Sequence, residues 1–384
     1  MPDAALAAGR AATILAQQPH FLILEWPDGA RRRFEALWLR DQAQGGAFRH
    51  GDNDQRLFDV ADLPEDLSIA TAEMRCDGAL AVRFEPEGID LAYDAAWLKA
   101  HASDSLRDAA WPASWDAAAM GEPIWHDYTA VTRDPAALYG WLDAIRRDGV
   151  ALMRGAPVEP ETVCRLASLF GYVRETNYGR LFDVRAEAKP TNMAFTGEGL
   201  GVHTDNPYRD PVPTLQLLHC LQADADGGGE SLAVDGFEAA RRLYERSPKD
   251  YDLLTRWRVP FRYRSGGVDL QARRRLIEAD EAGRPIAVAY NNRSIAPFDL
   301  PADAMRPFYD AYRRFARILR EPDLPLRFTL APGDVFIVDN RRVLHGRGAY
   351  GAGARWLQGC YADIDSLLSQ LRVMERDRDQ GDRG

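Results

Sequence analysis

The sequence predicts a mainly β protein with flanking helices (α+β), and three observations carry that prediction. Short apolar strands follow one another between Gly/Pro turns through the second half of the chain. A few helical segments interrupt them, and a separate β-rich pattern occupies the start of the chain. Together these features are typical of a sandwich or jelly-roll barrel with helices packed outside, next to a smaller module.

Length and composition indicate a globular protein of about two domains. The chain has 384 residues, of which 46% are hydrophobic and 28% charged, and a domain averages roughly 150 residues. The net charge of −10 disfavours nucleic-acid and anionic-membrane partners, because both would repel an acidic surface. The Ala-rich stretch 1–18 lacks a signal-peptide pattern, and no run approaches the roughly 20 apolar residues of a membrane span. We therefore expect a cytoplasmic protein.

A small β-rich domain is predicted over residues 1–105, followed by a connector over 106–123. Pro27-Asp28-Gly29 and Cys76-Asp77-Gly78 are turn sequences between apolar runs, which indicates two hairpins. The predicted elements are strands 21–26, 31–37, 67–75 and 79–84 and a helix over 94–102.

A larger domain is predicted over residues 124–384. Asp134-Pro135 precedes a helical apolar period, which matches an N-cap followed by Pro in the first turn. The predicted helices are 134–147, 161–170, 236–247 and 302–320. The predicted strands are 149–153, 214–220, 231–234, 257–263, 285–290, 326–330, 335–339 and 356–361.

Two of the seven histidines stand in a pattern that suggests metal chemistry. In His203-Thr204-Asp205 the imidazole and the carboxylate are two residues apart, so in extended backbone both project to one side. His345 follows an apolar strand that ends in a polar turn. Two histidines and one carboxylate form the ligand set of non-haem Fe(II) oxygenases. An isolated His-x-Asp is common by chance, and His203 alone could equally be an exposed turn histidine.

Arg355 makes this pattern more specific. It stands ten residues after His345, on the next predicted strand. A 2-oxoglutarate molecule that chelates iron through its keto-acid end has a second carboxylate, and a buried guanidinium is a natural bidentate partner for that group. The four residues together therefore predict both a metal site and an anion clamp.

Long collinear runs resemble the TauD-type 2-oxoglutarate/Fe(II) dioxygenases, and within them the γ-butyrobetaine and trimethyllysine dioxygenase branch. The resemblance spans roughly 124–376, and 38–41 resembles the small N-terminal domain of that branch. The runs are Asn192–Gly197, His203–Leu221, Gly228–Ser231, Val234–Phe237, Asn291–Asn292, Pro332–Val335, Asp339–Arg347 and Gly359–Asp365.

The resemblance implies a double-stranded β-helix (jelly roll) dioxygenase that uses Fe(II), 2-oxoglutarate and O2. It implies iron ligands, which are also the catalytic residues, at His203, Asp205 and His345. It implies that Arg355 binds 2-oxoglutarate with help from Ser231, although a Ser after two glycines is also an ordinary turn residue.

The branch hydroxylates small trimethylammonium compounds that are held in an aromatic cage, and cation–π attraction suits a cation that cannot hydrogen-bond. The positions that match the cage are Tyr178, Phe182, Phe195 and Tyr361. The alternative is that these rings belong to an ordinary core. The resemblance favours γ-butyrobetaine, which would give L-carnitine.

The anionic end of the substrate is less defined by the sequence. Asn192 and Asn292 match amides that meet the substrate carboxylate in relatives, and Asn206 stands where some relatives have Tyr. Arg180 and Arg209 are nearby in sequence and would suit a phosphonate as well as a carboxylate. A trimethylammonium phosphonate (2-trimethylaminoethylphosphonate) or trimethyllysine is therefore the alternative substrate.

The chain departs from its relatives in the first domain. Relatives carry a Cys-rich zinc site after the 38–41 run, but 42–54 contains no Cys here, and neither His50 nor Cys76 has a thiolate partner in sequence. We therefore expect no structural zinc.

A homodimer is expected because relatives form one, with the helix around 366–376 as the expected interface. The rival function is a non-catalytic jelly-roll protein that binds quaternary ammonium compounds; a nucleic-acid demethylase fits the acidic charge poorly.

Overall fold

The computed structural model describes residues 12–101, 110–185, 199–224, 228–265, 267–349 and 355–381. The chain forms two compact units, Met1–Ala110 and Trp111–Gly384. The second unit therefore begins inside the segment for which the sequence predicts a connector. Trp115, from that segment, is buried in the second unit, where its backbone N–H donates to Asp235 and its indole N–H to the carbonyl of Asp148.

Within its described residues, the first unit contains two three-stranded antiparallel sheets and two short α-helices. The two predicted hairpins and the predicted helix are confirmed, and each sheet gains one further strand. The strands are β1 (Thr13–Gln18), β2 (Phe21–Glu25) and β3 (Arg31–Glu35) in one sheet and β4 (Ser68–Met74), β5 (Ala79–Glu85) and β6 (Ile89–Asp94) in the other. The helices are α1 (Ala36–Asp41) and α2 (Ala95–His101). His50 is exposed in a loop, and Cys76 is an exposed free thiol.

The second unit is a mixture of helices and strands in which sheets dominate, as the α+β prediction states. Its strands are β7 (Trp125–Asp127), β8 (Val150–Arg154), β9 (Phe182–Arg185), β10 (Leu200–His203), β11 (Leu215–Gln222), β12 (Ser231–Asp235), β13 (Arg258–Ser265), β14 (Val268–Arg275), β15 (Ile277–Ala279), β16 (Pro285–Val288), β17 (Leu326–Phe328), β18 (Val335–Asp339), β19 (Val343–Arg347) and β20 (Trp356–Ala362). Its helices are α3 (Ala117–Met120), α4 (Tyr128–Arg133), α5 (Pro135–Asp148), α6 (Thr162–Ala167), α7 (Gly236–Arg246), α8 (Pro248–Arg256), α9 (Ala302–Ile318) and α10 (Ile364–Gly381).

A six-stranded and a four-stranded sheet pack face to face in this unit. Their strand orders are β7-β8-β18-β11-β20-β9 and β10-β19-β12-β17. One buried cluster contains Phe336 and Val338 from the first sheet together with Ala233 and Phe328 from the second. This shared core is consistent with the predicted jelly roll, because alternate residues of both sheets point inward.

Helices cover the outer faces of both sheets. Leu215 and Leu217 of β11 point away from the shared core and pack with α5, α6 and α10. Val234 of β12 and Leu344 of β19 pack with α7, α8 and α9. The predicted N-cap of α5 is confirmed, because the Asp134 carboxylate accepts from the N–H of Ala136. Among the helices of the described residues, none combines the length and apolarity that a bilayer crossing requires.

Candidate functional site

Two histidines face each other across neighbouring strands. β10 pairs antiparallel with β19, and the register places His203 opposite His345. Between Leu200 and His203 the register shifts by one residue, and such a bulge redirects the side chain that follows it. The two buried imidazole rings lie 4.7 Å apart between centroids. The strand pair therefore aims both rings at one point.

Gly346 allows the two strands to approach this closely. A Cβ at this position would lie 2.6 Å from the carbonyl oxygen of Leu200 and 3.0 Å from the amide nitrogen of Val202. Both of those atoms belong to the β10 backbone next to the bulge. The glycine is therefore required by the packing of β19 against β10.

Asp205 completes a three-residue cluster with the two histidines. One ligand atom from each of His203, Asp205 and His345 can be chosen so that all lie within 4.8 Å of one another. The Nδ1 of His203 is 2.9 Å from the carbonyl oxygen of Gly201, which can only accept, so Nδ1 carries the proton and Nε2 carries a lone pair. That Nε2 lies 3.3 Å from Oδ1 of Asp205, and the Nε2 of His345 lies 3.9 Å from Oδ2.

The protonation states of the cluster suit a divalent metal. Burial acts to raise the pKa of Asp205, but the two neighbouring histidines and the hydrogen bond from the Tyr361 hydroxyl more than offset it, so the pKa is held well below its usual range. Burial lowers the pKa of His345 to about 4, with the charges of His203 and Arg293 acting in the same direction. Asp205 is therefore ionised and His345 neutral near pH 7, which are the forms that bind metals. Two imidazoles and one carboxylate fit Fe(II).

Tyr361 and two residues that the sequence analysis did not identify, Gln216 and Asn340, hold Asp205 in place. Its Oδ2 accepts from Nε2 of Gln216 at 2.6 Å and from the Tyr361 hydroxyl at 2.7 Å, which leaves Oδ1 beside His203. The side chain of Asn340 accepts from the Asp205 N–H at 2.6 Å and donates to the carbonyls of Asp205 and Pro213, both at 2.9 Å. A signal for Gln216 exists in the sequence, because it is a polar residue on the inward face of an apolar strand.

A cavity of about 410 Å³ lies beside the cluster and contains the residues predicted for 2-oxoglutarate. Ser231 at the start of β12 and Arg355 just before β20 both line it and are both buried. Arg347, opposite Ser231 in the register of β12 with β19, is a second buried arginine in the cavity wall. This end of the cavity is therefore cationic and suited to a carboxylate.

Three of the four predicted cage residues line the same cavity. The ring centroids of Phe182 and Tyr361 are 4.9 Å apart, and those of Tyr178 and Phe182 are 6.3 Å apart. Tyr208 and Tyr263, which the sequence analysis did not identify, extend this aromatic wall and stack on each other at 5.1 Å. The fourth predicted ring, Phe195, and the predicted amide Asn192 lie outside the described residues.

The remaining predicted polar residues fall in different places. Asn206 is buried and lines the cavity, where its Oδ1 accepts from the Tyr208 hydroxyl at 2.7 Å. Asn292 is exposed, does not line the cavity and accepts from the Tyr312 hydroxyl, whereas its neighbour Asn291 is buried and lines the cavity.

The two arginines named with them lie outside the cavity lining. Arg180 is exposed, and Arg209 donates to the side chain of Asn177. Both arginines are therefore near the motifs in sequence but do not line the cavity. Three other arginines line the cavity instead: Arg262, Arg264 and Arg293.

Residues 118–361 match the family described as taurine catabolism dioxygenase TauD, TfdA family. The chain is 38% identical to a γ-butyrobetaine dioxygenase from Pseudomonas sp. (strain AK-1), over 91% of this chain and 93% of that protein. It is 29% identical to the γ-butyrobetaine dioxygenase of Homo sapiens, over 94% and 96%, and 29% identical to the mitochondrial trimethyllysine dioxygenase of Rattus norvegicus, over 89% and 83%. Among solved structures, an asparagine oxygenase is 19% identical with a TM-score of 0.48, covering 62% of this chain and 81% of that one.

The family match covers most of the larger unit and includes the clustered histidines and carboxylate. The relatives are aligned over nearly the whole chain and are dioxygenases by name. The donor set of the cluster fits the iron that such enzymes use. The chain therefore belongs to the TauD/TfdA family and is a dioxygenase that depends on Fe(II) and 2-oxoglutarate.

Proposed function

We propose that the enzyme hydroxylates an aliphatic C–H bond of a small trimethylammonium compound, and that the favoured reaction is the conversion of γ-butyrobetaine to L-carnitine. One observation carries this proposal: Tyr178, Phe182 and Tyr361 line the same cavity as the histidine–carboxylate cluster. The relatives named γ-butyrobetaine dioxygenase add support. The cavity of about 410 Å³ is within the range of small-molecule sites.

The aromatic wall suits a trimethylammonium group for a physical reason. Each well-placed ring attracts a cation by about 0.5–2 kcal/mol, and a quaternary ammonium group loses no hydrogen bonds when it leaves water. Tyr361 also donates its hydroxyl to Asp205, so the ring that would contact the cation is fixed relative to the metal cluster. A substrate held by this wall would present its chain close to the metal.

The roles of the remaining site residues follow from their chemistry. His203, Asp205 and His345 would hold Fe(II), and Arg355 with Ser231 would hold the distal carboxylate of 2-oxoglutarate. Bound iron, with 2-oxoglutarate and O2, supplies the oxidising chemistry that converts C–H to C–OH and releases succinate and CO2. The chain itself binds and orients both molecules, and orientation determines which C–H reacts.

A substrate panel tests the proposal directly. The enzyme with Fe(II) and 2-oxoglutarate is incubated with γ-butyrobetaine, trimethyllysine and 2-trimethylaminoethylphosphonate, and hydroxylated products are measured by mass spectrometry. We expect the highest kcat/KM for γ-butyrobetaine, loss of product and of substrate-dependent succinate in His345→Ala, and unchanged turnover in the surface variant Arg306→Gln. Full succinate production by His345→Ala would contradict the proposed metal site, and absence of turnover across the panel would contradict the substrate class.

Phe182→Ala tests the aromatic wall separately. We expect KM for γ-butyrobetaine to rise by about 2- to 30-fold, the range that one cation–π contact supplies. Phe182→Tyr keeps the ring and should stay close to the parent enzyme. Equal KM values in the Ala and Tyr variants would remove this ring from the binding site.

A second candidate substrate is a trimethylammonium phosphonate, with trimethyllysine as a further alternative. The observation in its favour is that Arg262, Arg264 and Arg293 line the cavity while Asp269 is the carboxylate paired with the first two. A surplus of guanidinium groups would suit a doubly charged phosphonate. The substrate panel above distinguishes the two anions by kcat/KM.

We also propose that the paired sheets of the second unit form a double-stranded β-helix and that the enzyme is a cytoplasmic homodimer whose first domain holds no structural zinc. The packing of the six- and four-stranded sheets around one core supports the first statement. α10 contributes Ile364, Leu367 and Leu371 to the core that it shares with α5 and α6, and its other described side chains are partly or fully exposed, which is compatible with an interface. Light scattering of the purified chain and its zinc content after metal-free purification test these proposals.

A further inference from the structure

A short turn after β16 is fixed to the backbone between two of the proposed iron ligands. The N–H of Thr204 donates to the carbonyl of Tyr290 at 2.8 Å, and the N–H of Tyr290 donates back to the Thr204 hydroxyl at 3.0 Å. The side-chain amide of Asn291 donates to the Thr204 carbonyl at 3.2 Å. The turn closes where the N–H of Ser294 donates to the Asn291 carbonyl. The backbone of this turn is therefore held at a fixed position relative to His203 and Asp205.

Arg293 is carried by this turn and lines the cavity together with Asp205 and His345. Its side chain is exposed and hence accessible to a small molecule. Among the described residues, none forms a hydrogen bond or an ion pair with its guanidinium.

The other arginines on this side of the cavity are already engaged. The guanidinium of Arg262 forms two hydrogen bonds with the carboxylate of Asp269, and that of Arg264 shares the same carboxylate. In the proposed function, Arg355 is matched by the distal carboxylate of 2-oxoglutarate. Arg293 therefore offers donors that neither the described protein residues nor the cosubstrate use.

The positive charge of Arg293 then calls for an anion other than 2-oxoglutarate in the site. γ-Butyrobetaine and trimethylammonium phosphonates are zwitterions, and the aromatic wall takes only their cationic end. The three predicted cage rings of that wall, Tyr178, Phe182 and Tyr361, lie on other elements than Arg293. Tyr263 on β13 continues the wall towards the turn of Arg293, because the N–H of the neighbouring Arg262 donates to the Ser294 carbonyl at 2.8 Å. A planar guanidinium binds carboxylate and phosphonate oxygens in a bidentate manner.

We propose that Arg293 binds the anionic group of the substrate, and that it thereby selects zwitterionic trimethylammonium compounds over simple cations. Arg262 and Arg264 add to the positive potential on the same side and attract the anion over a longer range. This inference rests on the proposed trimethylammonium substrate. It goes beyond that function because it assigns the anion-binding role to Arg293, which no sequence motif indicated.

The test removes the charge from the protein and from the substrate in turn. γ-Butyrobetaine is compared with its primary amide, which keeps the cation and the chain length but has no negative charge. For Arg293→Gln we expect kcat/KM for γ-butyrobetaine to fall by about 10-fold, mainly through KM, the size expected for one charge-assisted hydrogen-bonded pair. We expect kcat/KM for the amide to stay within about 3-fold of wild type, because the amide has no charge to lose. Arg293→Lys should recover part of the loss because it keeps the charge without the planar fork.

Controls separate this outcome from the alternatives. Calorimetry with Fe(II) and 2-oxoglutarate under nitrogen measures γ-butyrobetaine binding without turnover, and its Kd should rise with KM. The KM for 2-oxoglutarate and the unfolding midpoint should match those of Arg306→Gln. Equal losses for acid and amide, an increase in the KM for 2-oxoglutarate, or unchanged kinetics would each overturn the role of Arg293. A phosphonate arm identifies the anion: a larger loss for 2-trimethylaminoethylphosphonate than for γ-butyrobetaine supports Arg293 as a phosphonate site. If wild type turns over no trimethylammonium compound, the proposed function itself fails.

Discussion

Gly346→Ala tests the claim that the spacing of β10 and β19 sets the metal site. The added Cβ would lie 2.6 Å from the carbonyl oxygen of Leu200, and ordinary contact begins at 3.4 Å. The two backbones must therefore separate by about 0.8 Å, and neither atom can rotate away because both belong to strands. Metal–ligand distances tolerate only about 0.2 Å. His203 on β10 and His345 on β19 could then no longer bind one ion at normal lengths.

We expect the affinity for Fe(II) to fall by about 10- to 100-fold, the loss that misplacement of ligands commonly causes. Overpacking of this kind also costs about 1–3 kcal/mol of unfolding free energy. Anaerobic Fe(II) titration in the presence of 2-oxoglutarate measures the first quantity through the visible charge-transfer band, and urea denaturation measures the second. Gly201→Ala is the matched control, because it lies on the same strand as His203 and its Cβ would meet nothing within 4 Å.

Wild-type affinity for Fe(II) in a folded Gly346→Ala protein would refute this reasoning. It would mean that the bulged end of β10 moves freely enough to absorb the displacement. A loss of similar size in Gly201→Ala would also refute it, because any substitution near His203 would then be harmful irrespective of the strand spacing.

Three further substitutions or conditions have defined outcomes. Tyr361→Phe keeps the ring but removes the hydrogen bond to Asp205, so Fe(II) affinity should fall by about 10-fold in the same titration while the KM for γ-butyrobetaine changes little. Arg342→Ala leaves the fully buried carboxylate of Asp235 without its ion pair, so urea denaturation should show a loss of about 3–5 kcal/mol. The pKa of His345 is about 4 in the fold and 6.5 when unperturbed. As the pH falls from 6.5 to 4 the unfolded chain takes up this proton first, so the unfolding free energy of the metal-free protein should decrease by about 1.4 kcal/mol per pH unit, and His345→Gln should lack that part.

Local patterns in the sequence predicted the elements that have strong apolar periods. The apolar run of β2 and the Pro27-Asp28-Gly29 turn predicted the β2–β3 hairpin, although β3 itself begins with three arginines. Apolar residues marked helix α5 and strand β18, and all of these elements are present close to their predicted bounds. β14 and α8 were not predicted. β14 contains three successive arginines and alternates between exposed and half-buried positions, so no apolar signal marks it. A polar two-stranded ribbon is recognisable only once its partner strand is known.

Site residues could be predicted where a motif or a known ligand set marks them, but not where only a contact between distant residues brings them to the site. The spacing of His203 and Asp205 indicated that these two donors face one side. His345 is distant in the chain and was added from the ligand set of non-haem iron sites and from the family resemblance; the pairing of β10 with β19 brings it opposite His203. By contrast, the contact of Tyr361 with Asp205 joins residues 156 positions apart. The sequence assigned Tyr361 only to the aromatic wall, since nothing in it reveals the partner of a phenol. Arg293 was missed for the same reason, because its turn reaches the site through hydrogen bonds to Thr204.

The strands of the six-stranded sheet combine two functions through their alternation. On β11, Leu215 and Leu217 face the helices, while Gln216 between them faces the cavity and donates to Asp205. On β20, Cys360 faces the helices, and its neighbour Tyr361 faces the cavity. Neighbouring residues of a strand project to opposite faces. A substitution on the helix-covered face therefore changes the stability of the fold, and a substitution on the cavity face changes the metal cluster. The outer face of β11 packs on the helices and so fixes the position of the strand. Leu217→Ala should therefore reduce the unfolding free energy by about 2–5 kcal/mol, while the folded fraction keeps its Fe(II) affinity.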